Sequence, residues 1–328
     1  MTPRLSRTHI PLLATITVFV LLYAAASLRY LGFFSWPVFR NLFADNAFLG
    51  LAAIGMTFVI LAGGIDLSVG AMIGFSSILI AKLSAQQVHP LLAIAVAVVL
   101  GTGLGAGMGA LIRFMALPAF LVTLAGMFFI RGLGFVISLE ALTIKHRFYI
   151  AIRDFSLETI PVVAMLFLMA LGAAVYLAHY TRFGRNVYAI GGNEQSALLM
   201  GLPVGSTKVW LYAMSGFCSS LAGVAYTFYT SSGNATAGTM LELDAIAAVV
   251  IGGTLLSGGV GYVFDTLIGV LILGLIQTII TFEGTLSSWW TKIAIGALLL
   301  GFILIQRILQ SRAARSGSEH CLAQPSRS

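Results

Sequence analysis

The chain has 328 residues, of which 59% are hydrophobic, 9% charged and 36 glycine; its mean hydropathy is +1.00. Soluble domains carry about 25% charged residues, so these few charges cannot cover the apolar surface of a water-soluble fold. A soluble enzyme, a nucleic-acid binder and a disordered chain are excluded as readings of the whole, which leaves a polytopic membrane protein. The net charge of +7 belongs to the loops and tails that set membrane orientation. Cys218 lies in an apolar stretch and Cys321 in a polar tail, with no metal or redox spacing between them.

At about 20 apolar residues per crossing, the fold class read from the pattern is all-α, a polytopic bundle of about ten transmembrane helices. The spans fall at 10–28, 43–62, 65–83, 90–112, 117–138, 160–179, 208–230, 243–258, 262–282 and 289–306. The first follows Arg4 and Arg7 and exceeds a cleavable signal core in length, so it reads as a retained signal-anchor. The whole chain, 1–328, is one membrane domain. It comprises a cytoplasmic N-terminus (1–9), a bundle (10–306) containing an inner loop (180–207), and a cytoplasmic tail (307–328). With both ends inside, inner regions hold ten of the 18 basic residues and outer loops six, the bias expected of cytoplasmic loops.

Near 63–70 the chain reads Gly63-Gly64-Ile65-Asp66-Leu67-Ser68-Val69-Gly70, and it returns to this pattern as Gly252-Gly253-Thr254-Leu255-Leu256-Ser257-Gly258-Gly259. Each copy ends one apolar run and opens the next. Five spans separate them, so the two halves form an inverted repeat with glycine-broken helices, the arrangement in which transporters hold substrate near the midplane. The run Gly101-Thr102-Gly103-Leu104-Gly105-Ala106-Gly107-Met108-Gly109 puts Gly101, Gly105 and Gly109 on one helix face and Gly103 with Gly107 on another. Small residues at this spacing let helix backbones approach closely. No Walker A sequence, metal-spaced histidine pair or Ser/His/Asp grouping is present, so the sequence encodes no catalytic residue and no metal site.

Ionisable residues within spans are costly and therefore informative. Asp66 in the first break either caps the following helix or accepts hydroxyl hydrogens from a polyol. Arg131, near the outer end of its span, pairs with an acid, snorkels or binds substrate. Lys292, after Trp289-Trp290, reads as snorkelling beside an aromatic belt. Asp265 opens the ninth span, where the helix dipole favours an anion. In the inner loop, Asn193 is an N-cap, Glu194 to Met200 form two helical turns, and Gly201 stops them. Leu198, Leu199 and Leu202 then form an apolar ridge that calls for a partner.

From Arg182 to Gly201 the pattern R-F-G-x-x-x-Y-A-I-G-G-N-x-x-x-A-x-x-x-G resembles the cytoplasmic loop of permeases of ribose-type sugar ABC importers. The resemblance extends over Gly63–Gly70, over Pro118-Ala119-Phe120 through Gly132, and over Leu243-Asp244-Ala245 through Gly261. It covers nearly all of Asn41–Gln306. Asp45–Gly50 and Thr285–Gly296 look most like the permeases of galactofuranose importers.

The resemblance implies a bacterial inner-membrane subunit that pairs with a second, different permease. It also implies a separate ATPase subunit with two fused nucleotide-binding domains that holds ATP and Mg, and a periplasmic sugar-binding protein. By motif, Asn193, Glu194, Ala197, Leu198 and Gly201 fall in a coupling helix for the ATPase. Gly63, Gly64, Gly70, Gly252, Gly253 and Gly259 are the helix breaks. Asp66, Ser68, Thr123 and Ser257 are candidate polar groups of the pathway and Phe120 a candidate wall. Tyr262, Val263, Phe264 and Asp265 stand where the family commonly has small residues. A neutral sugar would move by alternating access, with no catalytic residue and no cofactor on this chain. The other reading is a stand-alone, ion-coupled sugar carrier.

Overall fold

The computed structural model describes residues 10–158, 161–285, 287 and 289–304. The expected cytoplasmic N-terminus and the tail from 307 lie outside them. In chain order the helices are α1 (Ile10–Arg29), α2 (Trp36–Asp45), α3 (Ala47–Leu61), α4 (Val69–Ala85), α5 (Pro90–Phe114), α6 (Ala119–Ile137), α7 (Arg147–Glu158) and α8 (Val162–Tyr180). They continue as α9 (Arg182–Gly192), α10 (Glu194–Leu199), α11 (Val204–Thr230), α12 (Leu241–Ile251) and α13 (Asp265–Glu283), and then α14 (Trp289–Leu304). The strands among the described residues are β1 (Leu142–Thr143) and β2 (Ser232–Gly233), an antiparallel pair with Leu142 opposite Gly233.

The fold is an all-α, multi-pass membrane bundle. Among the described residues five helices are long and apolar enough to cross a bilayer, and six if α2 and α3, bent by 48° at Asn46, count as one span; the 15–29 part of α1 is apolar but shorter. The helices α4 and α14 are apolar but shorter. At α12 the expected span 243–258 ends early. The helix stops at Ile251 after 11 residues, because the glycine-rich break begins at Gly252 while the apolar run continues beyond it.

At the centre lies α3. Its residues are apolar on every side, and all but Phe48 are buried, as expected for a helix with no polar face. Its one hydroxyl group, on Thr57, bonds the Ala53 carbonyl at 2.7 Å and meets the Thr266 hydroxyl of α13 at 2.7 Å. Against α3 runs α11, so close that a Cβ on Gly55 would come within 2.9 Å of the Ser215 Cα.

The glycine run of α5 resolves into two faces with different surroundings. Gly101, Gly105 and Gly109 abut α11; a Cβ on Gly109 would lie 2.8 Å from the Val209 Cα, and one on Gly105 would strike the Tyr212 carbonyl. Gly103 and Gly107 meet nothing within 4 Å. The close approach expected of both faces therefore occurs on one. A Gly105→Ala substitution must push two backbones apart and should cost about 1–3 kcal/mol. Gly103→Ala and Gly107→Ala should be neutral or stabilising, because alanine favours a helix by up to ~1 kcal/mol. Thermal midpoints of the detergent-purified variants, read by size-exclusion chromatography after heating, separate the two classes.

Candidate functional site

The two glycine-rich breaks touch each other. At the C-terminus of α3 the last carbonyls lack helical partners, and the Gly259 N–H donates to the Leu61 carbonyl at 2.8 Å. Gly63 (φ 78°), Gly253 (φ 113°) and Gly259 (φ 77°) adopt left-handed backbone, a conformation that side chains disfavour. The C-terminal end of α9 presses onto this junction. A Cβ on Gly259 would lie 2.8 Å from the Gly192 Cα, and one on Gly191 would strike the Leu61 carbonyl. Gly64 faces the Tyr212 hydroxyl. Gly70, in the first turn of α4, abuts Gly238 and the Glu242 carboxylate, and Gly252 lies against the Asp265 backbone.

Asp66 is 1% exposed, and both its oxygens are engaged. Oδ1 accepts from the Ser68 N–H at 2.9 Å and the Ser68 hydroxyl at 2.6 Å, and Oδ2 accepts from the Ser215 hydroxyl at 2.6 Å. The carboxylate thus ties the first break to α11. Thr123 is fully buried and donates to the Ala119 carbonyl at 3.0 Å and, across elements, to the Ile65 carbonyl at 3.3 Å. The structure therefore brings Asp66, Ser68 and Thr123 to one place. Phe120 is half exposed at the start of α6, and Ser257 is exposed in the second break.

Around the second break, Tyr188 of α9 donates its hydroxyl to the Gly261 carbonyl at 2.8 Å. Burial pushes this phenol up to about 12, so it stays a neutral donor throughout the physiological range. The His179 ring lies 5.5 Å from that of Tyr262. Asp265 is buried at the N-terminus of α13, and its Oδ1 and the Thr254 hydroxyl have no hydrogen-bond partner among the described residues.

Against the first turns of α4, the link from α11 to α12 folds inward, burying Ala235 and Ala237. Arg131 clamps it: one guanidinium nitrogen donates to the Ala235 carbonyl at 2.6 Å and to the Ala237 carbonyl at 2.8 Å. The expected choices for Arg131 did not include backbone carbonyls, which leave no signature in a sequence. Lys292 pairs with Asp244 at 2.6 Å, so the ammonium expected to snorkel has a carboxylate partner instead.

The inner loop holds two helices, of which the sequence reading named one. Asn193 caps α10 by accepting the Ser196 N–H at 2.8 Å; Ala197 is buried, and Gly201 takes φ 76° just beyond the end. Leu198, Leu199 and Met200 are exposed, whereas Leu202, expected on the ridge, packs inward with Ile190, Ala197 and Val204. The missed helix, α9, buries Gly184, Val187 and Ile190. The apolar spacing Phe183, Val187, Ile190 could have found it, but three glycines argue against a helix. Glu194 binds Lys208 of α11 at 2.6 Å.

Beside that ion pair opens a cavity of about 500 Å³. Its wall includes Glu194 and Leu198 of α10, Arg113 and Lys208, and Gly63 and Gly64 of the first break. Pro118 and Ala119 line it too, whereas Asp66, Ser68, Phe120, Thr123 and Ser257 do not. One cavity therefore joins the short surface helix to a helix break inside the bundle.

A multi-pass bundle with interlocked helix breaks and a capped surface helix seated over them is the architecture of a membrane permease. The chain belongs to the family described as branched-chain amino acid transport system / permease component, whose model matches residues 39–303. It is 50% identical over 305 residues to the inner membrane ABC transporter permease protein YjfF of Escherichia coli K12, covering 91% of this chain and 92% of that one. It is 44% identical over 271 residues to the ribose import permease protein RbsC of Bacillus subtilis, covering 81% and 84%. With the fructose import permease protein FruG of Bifidobacterium longum it shares 34% over 326 residues, covering 94% of each. No solved structure matches the chain.

Removing the Asp66 carboxylate strands buried donors on Ser68 and Ser215, at about 1–3 kcal/mol for each unsatisfied group. Asp66→Ala and Ser215→Ala should therefore both lower the thermal midpoint of the purified protein, the former more. Unchanged midpoints with lost transport would instead make Asp66 a substrate contact.

Proposed function

We propose that the chain is the membrane-spanning permease subunit of an ABC importer that brings a monosaccharide, galactofuranose, into the cytoplasm by alternating access. The observation that carries this reading is the seating of the inner loop. The α10 helix shares a cavity with the first break, and α9 rests on the backbone junction of both. A pull on α10 then reaches the breaks through packed backbone rather than through flexible side chains. The relatives named for ribose and fructose import support a sugar as cargo, and the relative named as an inner-membrane protein supports a bacterial inner-membrane location.

In this reading the ten apolar segments are ten spans, and the two breaks belong to inverted halves. Both termini are cytoplasmic, with 180–207 as the coupling loop and 307–328 as the tail. ATP and Mg bind a separate ATPase with two fused nucleotide-binding domains. A different permease completes the pathway and a periplasmic protein delivers the sugar. Asn193, Glu194, Ala197, Leu198 and Gly201 form the coupling helix, and the exposed Leu198 and Leu199 are its apolar anchors. ATP shifts the access equilibrium only by binding the two states differently. Asp66, Ser68, Phe120, Thr123 and Ser257 support or border the sugar route, where a neutral hexose asks for hydroxyl partners and apolar faces. A self-powered carrier with Asp66 as its ion site is disfavoured, because three donors already occupy that carboxylate.

An interface anchor is worth about 2 kcal/mol, so Leu198→Asp should weaken retention of the co-expressed ATPase roughly 30-fold. Glu194→Ala and Leu198→Asp should abolish uptake of labelled galactofuranose while leaving membrane insertion intact. Normal transport and normal ATPase stimulation in both variants would overturn the coupling-helix assignment. Equal uptake of ribose and galactofuranose by the intact importer would overturn the choice of cargo alone.

A further inference from the structure

On the outer surface of the bundle, at the end that carries α9 and α10, lies a second cavity of about 620 Å³. One wall is a single face of α11, in which Ser206, Trp210, Ala213, Met214 and Phe217 recur at helical spacing. The other is built from Leu177 of α8 and from Phe183 and Asn186 of α9, and Thr102 of α5, its hydroxyl turned onto the Val98 carbonyl at 2.7 Å, completes the lining. This groove is graded along its length. Asn186, Ser206 and Thr207 stand at one end, and Ala213, Met214 and Phe217 at the other. From Ser206 to Phe217 the helix rises about 16 Å, half of a hydrocarbon core of about 30 Å. The groove therefore spans one leaflet, polar at the membrane surface and apolar toward the midplane.

The helix that forms the polar end, α9, also carries two cations outside the groove lining. Arg182 and Arg185 of α9 are exposed and have no ion-pair partner among the described residues. Arg182 lies one helical turn before Asn186, so the two share a face. The hydroxyls of Ser206 and Thr207 turn back onto the Pro203 carbonyl at 3.1 and 2.8 Å, which leaves the Asn186 amide as the donor in the lining, with Arg182 one turn from it. Trp210 and Tyr180 are exposed at this level, where amphipathic rings suit the membrane–water boundary.

We infer that this groove is a binding site for an anionic phospholipid. The acyl chain lies along Trp210, Met214 and Phe217, and the phosphate is held by Arg182, Arg185 and Asn186. An apolar helix of another protein fits the lower groove but leaves the exposed cations of α9 without a partner. An anionic headgroup supplies that partner, with guanidinium–phosphate hydrogen bonds stronger than neutral ones. The site is independent of the sugar carried. It places a lipid against α9, the helix that rests on both breaks.

Trp210 is one of four tryptophans, so replacing Trp36, Trp289 and Trp290 by Phe leaves it as the reporter inside the groove. The full chain is reconstituted in phosphatidylcholine vesicles, and brominated phosphatidylglycerol or brominated phosphatidylcholine is titrated in. Trp210 emission should be quenched at a mole fraction of brominated phosphatidylglycerol roughly 30-fold lower than of the choline lipid, given about 1 kcal/mol for each of two cations. High salt should erase this preference, as should the Arg182→Gln/Arg185→Gln variant, whereas Arg182→Lys should retain most of it. Equal quenching by the two lipids overturns the site. So does Trp210 that neither lipid quenches in the complex co-purified with its partners, which would assign the groove to a protein helix.

Discussion

A single backbone hydrogen bond, from the Gly259 N–H to the Leu61 carbonyl, holds together the parts on which the rest of the molecule depends. Breaking a helix inside a bilayer strands polar groups that lipid cannot satisfy, at several kcal/mol each. Two breaks placed back to back solve this for each other. The contact requires chain elements without side chains, and Gly191, Gly258 and Gly259 supply them. The position of α9 follows, because its last turn is the part that fits against the junction. The position of α10 follows from α9, joined to it through the Asn193 cap.

The surroundings of this junction differ in stiffness by construction. Within the bundle α3, α5 and α11 are locked by close backbone approach at Gly55, Gly105 and Gly216, and tight packing of this kind does not deform continuously. Beside α4, Arg131 holds the inward-folded link, and the Lys292–Asp244 pair holds the helix that follows it. These are polar ties between separate elements. A moving permease needs both kinds of contact: rigid bodies that carry displacement, and a few ties that exist in one state and not in the other.

The sequence revealed what is encoded locally and hid what depends on three-dimensional partners. The α10 helix was legible because an N-cap asparagine and a terminal glycine bracket it. The core helix α3 was legible as an unbroken apolar run. By contrast α9 was hidden, since glycines that weaken a helix in isolation are the ones that let it reach the junction. Hydropathy overstated α12, since Leu255 and Leu256 extend the apolar run into a segment whose backbone has left the helix. Arg131 was recognised as costly, yet its acceptors are carbonyls of alanines and no residue type announces them. Asp66 allowed a capping or a sugar-binding reading from sequence. The Ser215 hydroxyl, 149 positions away, is the partner that shows what occupies the carboxylate.

In the proposed cycle these contacts decide which break moves when the inner loop is displaced. A neutral backbone hydrogen bond contributes about 1 kcal/mol net when its donor and acceptor find other partners, so the Leu61–Gly259 contact can exchange in the proposed cycle only where both groups are satisfied again. The Asp66 cluster, with a carboxylate accepting three hydrogen bonds in a buried site, is stronger and keeps the first break fixed to α11. Displacing α9 in the proposed cycle would therefore part the two breaks from each other before it parted the first from α11. The second break would move relative to the first, and its hinge would lie in 252–264. In that segment Tyr188 grips the Gly261 carbonyl, which makes α9 the handle as well as the seal.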